Sequence, residues 1–434
     1  MLLPLLLLLA ISDFFRPPVF ASSFSYVQFQ PKVFNPQWIS LGYSVAVSNN
    51  GKTFVVGAPG SGNSGAVLIY SLDETTHEFV QQGPVLIGSD GSGNSTDLQQ
   101  GFSIAISGDG LTIIFGGIGD DYYQGATWIF TQNSSGYWNQ QGPKLVGSDS
   151  SGPQSYQGSS VAIDFYGNTA LIGSPYDDDY TGAAWIFTRN TTTKQWTQQS
   201  PKLVGGNNSF SFFGYASSLS SNGSLAVVSA KYDGNGALGL LYVYARDEGL
   251  GIWSLQSVIY SGYKASTLSP PVLWRALAIS ADAQIILFGV PWDDDYAGAS
   301  LVFVYDASAH RWYQQAKLIG TRKPSNSSSR EGSSVSLSWD GNFALIGGPD
   351  DDYSLGGAWV FSHDGLGNWS QVGGPLRGSG AVRKPNQGNA VSLSGDASIA
   401  LVAGSNDDYG VGAVWVFLST PITVQPTTSP TNLK

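Results

Sequence analysis

Cysteine is absent from all 434 residues. That excludes disulfides, thiolate metal ligands and cysteine nucleophiles together, so stability in an oxidising compartment must come from packing and strand pairing. Histidine is scarce: His77, His310 and His363 are scattered, and no two stand at metal-ligand spacing. A Gly-x-Ser-x-Gly nucleophile elbow is missing. Charged residues make up only 12% of the chain, and 20 Lys and Arg face 31 Asp and Glu, a formal charge of −11. Nucleic-acid binding needs a basic stripe, and none is present. No window is rich enough in Glu, Lys, Leu and Ala for a long helix. The single long apolar run, "MLLPLLLLLAISDFFRPPVFA", is too short to span a membrane comfortably.

What is present is glycine, 55 residues of it, together with 42% apolar residues. That combination fits many turns joining short strands around a sizeable core. Residues 1–21 read as a signal peptide, with Val19 and Ala21 as the small residues that a signal peptidase accepts. The expected localisation is therefore secreted, with no membrane span in the mature chain. Seven Asn-x-Ser/Thr sequons, at Asn94, Asn133, Asn190, Asn207, Asn222, Asn326 and Asn368, are candidate N-glycosylation sites. Residues 421–434, Thr/Pro-rich, read as a disordered tail.

Between those ends, over residues 22–420, the chain repeats. An "xGxS" stretch recurs at Gly42, Gly101, Gly158, Gly214, Gly332 and Gly388, with Trp274 in the fifth place, at spacings of 56 to 60 residues. The third unit contains four strand patterns: "SSVAIDF", "TALIGSP", "GAAWIFTRN" and "KQWTQQSPKLVG". In "AAWIF" both faces are apolar, as a sheet sandwiched between other sheets requires. "NNGK", "GDGL", "SNGS" and "WDGN" between the first two strands read as two-residue hairpin turns. Seven units of four antiparallel strands make an all-β, seven-bladed β-propeller. The seventh unit lacks its fourth strand, and "YVQFQPKVF", Tyr26 to Phe34, aligns without gaps on "WTQQSPKLV", Trp196 to Val204. The N-terminal strand is expected to complete the last blade, which removes loose sheet edges.

The first unit, "LGYSVAVSNNGKTFVVGAPGSGNSGAVLIY", and "FGYA" at Phe213 resemble the FG-GAP repeat of the integrin α-subunit N-terminal propeller. The resemblance implies an extracellular, integrin α-like propeller used in recognition or cell adhesion. Repeats of that family often hold calcium in a DxDxDGxxD loop between the first two strands. The matching stretches here carry at most one aspartate, too few for six to eight oxygen ligands. The expectation is no cofactor, with calcium left open at another place and the metal ligands unknown.

The acid stands instead between the second and third strands. Asp120 and Asp121, Asp177, Asp178 and Asp179, Asp293, Asp294 and Asp295, Asp350, Asp351 and Asp352, and Asp407 and Asp408 account for 13 of the 31 acidic residues. Tyr122, Tyr123, Tyr180, Tyr296, Tyr353, Tyr409 and Trp292 adjoin them. Strand alternation puts all these loops on one face of the disc. Two readings stand. One is an aromatic-flanked acidic rim that binds a cation, a glycan or a protein. The other is a turn whose Asp side chains bond backbone N–H groups and which duplication copied.

Trp128, Trp185, Trp359 and Trp415, and the fourth-strand Trp138, Trp196, Trp253, Trp312 and Trp369, recur at fixed positions and read as blade packing. Off-pattern Trp274 reads as a candidate contact. Function is expected to be a secreted recognition or adhesion module for an extracellular protein, glycan or cation. A lectin with repeated inter-blade sugar pockets is the alternative, and a glycan-processing hydrolase comes third. No catalytic constellation stands out, and the expectation is that the chain is not an enzyme.

Overall fold

The computed structural model describes residues 24–93, 97–206, 210–233, 239–260, 276–321 and 328–421. They form seven four-stranded antiparallel sheets. Blades 1 to 6 run from Ser44 to Gln81, Gln100 to Gln140, Ser160 to Gln198, Phe213 to Tyr260, Leu277 to Leu318 and Ser334 to Leu376. Blade 7 takes three strands from Ala390–Pro421 and its outermost from Phe24–Gln28, which pairs with the preceding strand from Phe24↔Pro421 to Gln28↔Phe417. The expected closure by the N-terminal strand is what the structure has. The proposed signal peptide, the tail beyond Pro421, Trp274, and the sequons at Asn94, Asn207 and Asn326 lie outside the described residues.

The core is divided by blade interfaces. Seven apolar clusters each draw on two adjacent blades. In one, Trp185 and Ile172 of blade 3 pack on Ile114 and Ile129 of blade 2. This is why "AAWIF" is apolar on both faces. Trp128, Trp185, Trp359 and Trp415 are fully buried at these interfaces, as packing residues should be.

At five of the seven blade interfaces two motif glycines meet. Gly116, in the second strand of blade 2, abuts Gly158, before the first strand of blade 3. A Cβ on Gly116 would stand 2.0 Å from the Gly158 carbonyl oxygen, and Gly158 itself has φ of +83°. The motif serine adds a bond at the same seam: Ser103 Oγ donates to the Gly158 carbonyl at 2.7 Å, and Ser44 to that of Gly101 at 2.7 Å. The second-strand position holds Ser229 in blade 4 and Ala403 in blade 7, where a Cβ on the facing Gly42 would stand 3.0 Å from the Ala403 Cβ.

The first strands line a central channel of about 660 Å³ that reaches Trp292, Arg330 and Asn406 on the acidic-loop side. On the other side a closed ring of backbone hydrogen bonds joins the seven turns between first and second strands. Asn49 N–H donates to Gly108, Asp109 to Phe165, Phe165 to Ser221, Ser221 to Ala281, Ala281 to Trp339, Trp339 to Gly395, and Gly395 back to Asn49, at 2.8–3.3 Å. Phe165 and Trp339 meet edge to face across this end, ring centres 4.7 Å apart. These turns are longer than the two-residue hairpins expected. Pairing in blade 1 ends at Ser48 and Thr53, because Asn50 Oδ1 accepts from Lys52 N–H and stabilises a wider turn with Gly51 at positive φ. An Asx contact of this kind competes with the tight hairpin.

Candidate functional site: the face of the acidic loops

Each acidic loop is a single left-handed turn. In blade 3, Asp178 (φ 49°, ψ 58°), Asp179 (φ 51°, ψ 51°) and Tyr180 (φ 72°) are consecutive left-handed residues. The loops at Asp121–Tyr123, Asp294–Tyr296, Asp352–Ser354 and Asp408–Gly410 repeat the pattern. Aspartate tolerates this conformation better than most residues, and it holds the first left-handed position in all five loops.

The leading aspartate has a second task. Asp177 is fully buried and accepts from Lys202 Nζ at 2.6 Å, Ser150 Oγ at 2.7 Å, Ser151 N–H at 2.8 Å and Ser155 Oγ at 3.1 Å. Lys202 is the lysine of the fourth-strand "PKL". The same pair forms in four other blades: Asp120 with Lys144 at 2.5 Å, Asp293 with Lys317, Asp351 with Arg377, and Asp407 with Lys32 from the N-terminal segment. Blade 1 has Ser61 in place of the acid and Val85 in place of the lysine. In blade 4, Val258 stands at the lysine position, and Asp233 takes the Tyr242 hydroxyl and, at 3.2 Å, the Gly206 N–H instead. Blade 1 has lost acid and base together, whereas blade 4 keeps the acid without its lysine and satisfies it with neutral donors, as a buried carboxylate requires.

The remaining acids do not form a uniform rim. Asp121, Asp178, Asp179, Asp294 and Asp295 are exposed, Asp408 is half-buried and Asp352 is buried. Asp350 is half-buried; burial pushes its carboxyl up, against Arg330 Nε at 3.0 Å and Asn386 Nδ2 at 3.0 Å. Among the described residues no three His, Asp or Glu side chains stand close enough to share a metal ion.

The aromatic residues are where this face departs from seven-fold repetition. Across blades 2 to 4 they form a continuous arc. Tyr123 stacks on Tyr156 at 5.5 Å, and Tyr156 meets Tyr176 at 4.6 Å. Tyr176 touches Tyr180 and Phe212, both at 5.5 Å; Tyr180 stacks on Phe210 at 5.7 Å, and Phe212 meets Tyr232 at 5.5 Å. Tyr180 and Phe210 are exposed and the others half-buried. Burial, with neighbouring tyrosines, raises the hydroxyl pKa of Tyr156, Tyr176 and Tyr232, keeping them protonated donors at neutral pH. At the end of the arc Lys231 lies 5.0 and 5.1 Å from the rings of Tyr215 and Tyr232, and burial pushes its pKa down to about 7.

Blades 5 to 7 present a charged half instead. Arg330 covers Trp292 at 5.3 Å beside Tyr296, and Arg383 covers Tyr409 at 3.8 Å, while Tyr353 stands exposed here and Tyr122 stands exposed beside the arc on blade 2.

Tyr156, Tyr176, Phe210, Phe212, Tyr232, Arg330 and Asn386 were not among the residues the sequence singles out. A signal for four of them exists. Wherever it is described, the residue two before the motif glycine has positive φ, and it is Ser40, Gln99, Tyr156, Phe212, Arg330 or Asn386. One backbone position with six unlike side chains marks where the repeats have diverged. The sequons at Asn133, Asn190, Asn222 and Asn368 lie in turns on the opposite face, where Asn133 Oδ1 accepts from Ser135 and Tyr137 N–H.

No helix among the described residues is long and apolar enough to cross a membrane. No family model matches the chain. Over 194 residues it is 29% identical to integrin alpha-2 of Mus musculus, a match covering 40% of this chain and 16% of that much longer protein. The resemblance to the integrin α propeller, first drawn from the FG-GAP wording, is therefore carried by an alignment as well as by seven blades. Solved structures of similar fold include Kuenenia stuttgartiensis hydrazine synthase (TM-score 0.54, 13% identity, 89% of this chain and 97% of that one). Candidate 6-phosphogluconolactonases of Bacteroides uniformis (0.52, 12%, 78% and 85%) and Bacteroides fragilis (0.50, 12%, 78% and 84%) are also similar. At these identities the likeness is one of fold. It corrects the expectation that this chain is not an enzyme: propellers built this way include proteins named for catalytic activities, so the missing histidine and cysteine constellations exclude nothing. In sequence the chain is similar to the integrin α FG-GAP propeller, and in fold to seven four-stranded blades that catalysts also use.

Proposed function

We propose that the chain is an extracellular recognition or adhesion module that engages its partner through the face of the acidic loops. The observation that carries this reading is the aromatic arc. Bulky residues are costly at left-handed φ, by roughly 1–2 kcal/mol each, yet Tyr123, Tyr156, Tyr180, Phe210 and Phe212 all occupy it. Equivalent positions in other blades hold Ser40, Asn386 and Gly410, so the fold does not demand aromatics there. A gain at the surface offsets that cost, and partner binding supplies one. The partial similarity to integrin alpha-2 supports the same reading. The test is adhesion of beads coated with the full chain to the surface of the cells that produce it. Tyr156→Ala/Tyr180→Ala is expected to abolish adhesion, and Tyr137→Ala on the opposite face to leave it intact. Equal adhesion by both variants refutes the proposal.

A second reading is catalytic and rests on Asp350. Its burial-raised carboxyl, beside Arg330 and Asn386, follows Pro349, which lines the channel together with Arg330. A carboxyl so poised serves as an acid–base group. Hydrolysis of lactones or glycosides that Asp350→Asn abolishes would establish this reading, and turnover unchanged in that variant would remove it.

A further inference from the structure

Resting on the recognition reading above, we infer that the aromatic arc of blades 2 to 4 takes a neutral glycan chain. A glycan is amphipathic along its length, with C–H faces that pack on aromatic rings and hydroxyl edges that seek hydrogen bonds. The arc has that same division. Tyr180 and Phe210 expose ring surface, and the line of contacts continues through Tyr176 and Tyr156 to Tyr123. Protonated hydroxyls at Tyr156 and Tyr176 supply donors along the line. Exposed Asp121, Asp178 and Asp179 supply acceptors beside it, which a sugar's paired hydroxyls satisfy.

Charge narrows the class. Three exposed carboxylates bordering the arc, in a chain of formal charge −11, repel sulfated or uronic polymers. Shape narrows it further. A standard protein partner needs about 800 Å² on each side with a broad apolar centre, whereas of the seven rings here only the stacked pair Tyr180 and Phe210 is exposed, beside half-buried Tyr176 and Phe212. A chain one sugar wide fits that narrow exposed surface.

The experiment is affinity electrophoresis of the full chain in gels containing soluble xyloglucan, galactomannan, laminarin or heparin, with bead adhesion measured in parallel. Retardation by at least one neutral polysaccharide and none by heparin is expected. Tyr156→Ala/Tyr180→Ala should weaken it about tenfold or more, the loss of two ring contacts, while Tyr353→Ala on blade 6 leaves it unchanged. Circular dichroism of each variant guards against misfolding, and if the double variant does not fold, Phe210→Ser replaces it. No retardation by any neutral polysaccharide, equal retardation by heparin, or full retention in the arc variant overturns the inference. Adhesion that needs the arc without glycan retardation leaves recognition standing and sinks only the glycan; absence of both sinks the two together.

Discussion

Replacing Lys202 with Val tests the claim that the acidic loops are first of all ion-paired elements of the fold. The variant strands the Asp177 carboxylate, fully buried, with only Ser150, Ser151 and Ser155 as donors. Removing one partner of a buried pair costs about 3–5 kcal/mol. The three remaining donors and a lysine side chain that is 18% exposed place this case near about 3 kcal/mol. Asp177→Ser leaves a partly solvated ammonium that keeps Ser151 Oγ at 3.1 Å, and should cost less, about 1–2 kcal/mol. Blade 1 already contains the double replacement as Ser61 and Val85. The double variant Asp177→Ser/Lys202→Val is therefore expected within about 1 kcal/mol of the parent, a coupling of about 3 kcal/mol or more. Urea titrations followed by tryptophan fluorescence read all four corners of the cycle. A coupling below about 0.5 kcal/mol would refute the reasoning and return Asp177 to the candidate ligand-binding groups.

Gly116→Ala should destabilise by more than about 3 kcal/mol, since its Cβ would meet backbone 2.0 Å away, while Gly142→Ala, with open space around it, should cost about 1 kcal/mol; urea midpoints compare them. Deleting residues 1–34 removes both the outer strand of blade 7 and Lys32, so the bare edge should drive self-association visible by size-exclusion chromatography, and a stable monomer would contradict strand closure. Lys231 binds its proton more weakly when folded, at about 7 against about 10.4 unfolded. Between pH 7 and about 9.5 the unfolded chain holds more protons at this site, so its contribution makes stability rise with pH, and Lys231→Met should flatten that rise in urea midpoints.

The blade count was legible because strand length, turn chemistry and the recurring glycines all repeat on one period. The closing strand was legible because Tyr26–Phe34 copies a fourth strand residue for residue. The ion pairs were not, because Asp177 and Lys202 meet only once two strands have folded back on each other. The hint was the joint loss of acid and lysine in blade 1, at Ser61 and Val85. The arc was harder still. Tyr156 and Phe212 lie in connections between blades, outside any strand pattern, and in a backbone conformation that aromatic residues seldom adopt. The two-residue hairpins failed for a local reason, the Asx contact of residues such as Asn50 with the turn.

The central claim is that one half of one face does the binding. Hydroxyl-radical footprinting of the full chain, free and bound to the cell surface it adheres to, reports side-chain cover directly. Protection is expected at Tyr180, Phe210 and Tyr122, which are 43%, 58% and 60% exposed, and not at Tyr137 or Tyr166, 70% and 63% exposed on the other face. Protection of Tyr137 and Tyr166 with the arc still reactive would contradict the account.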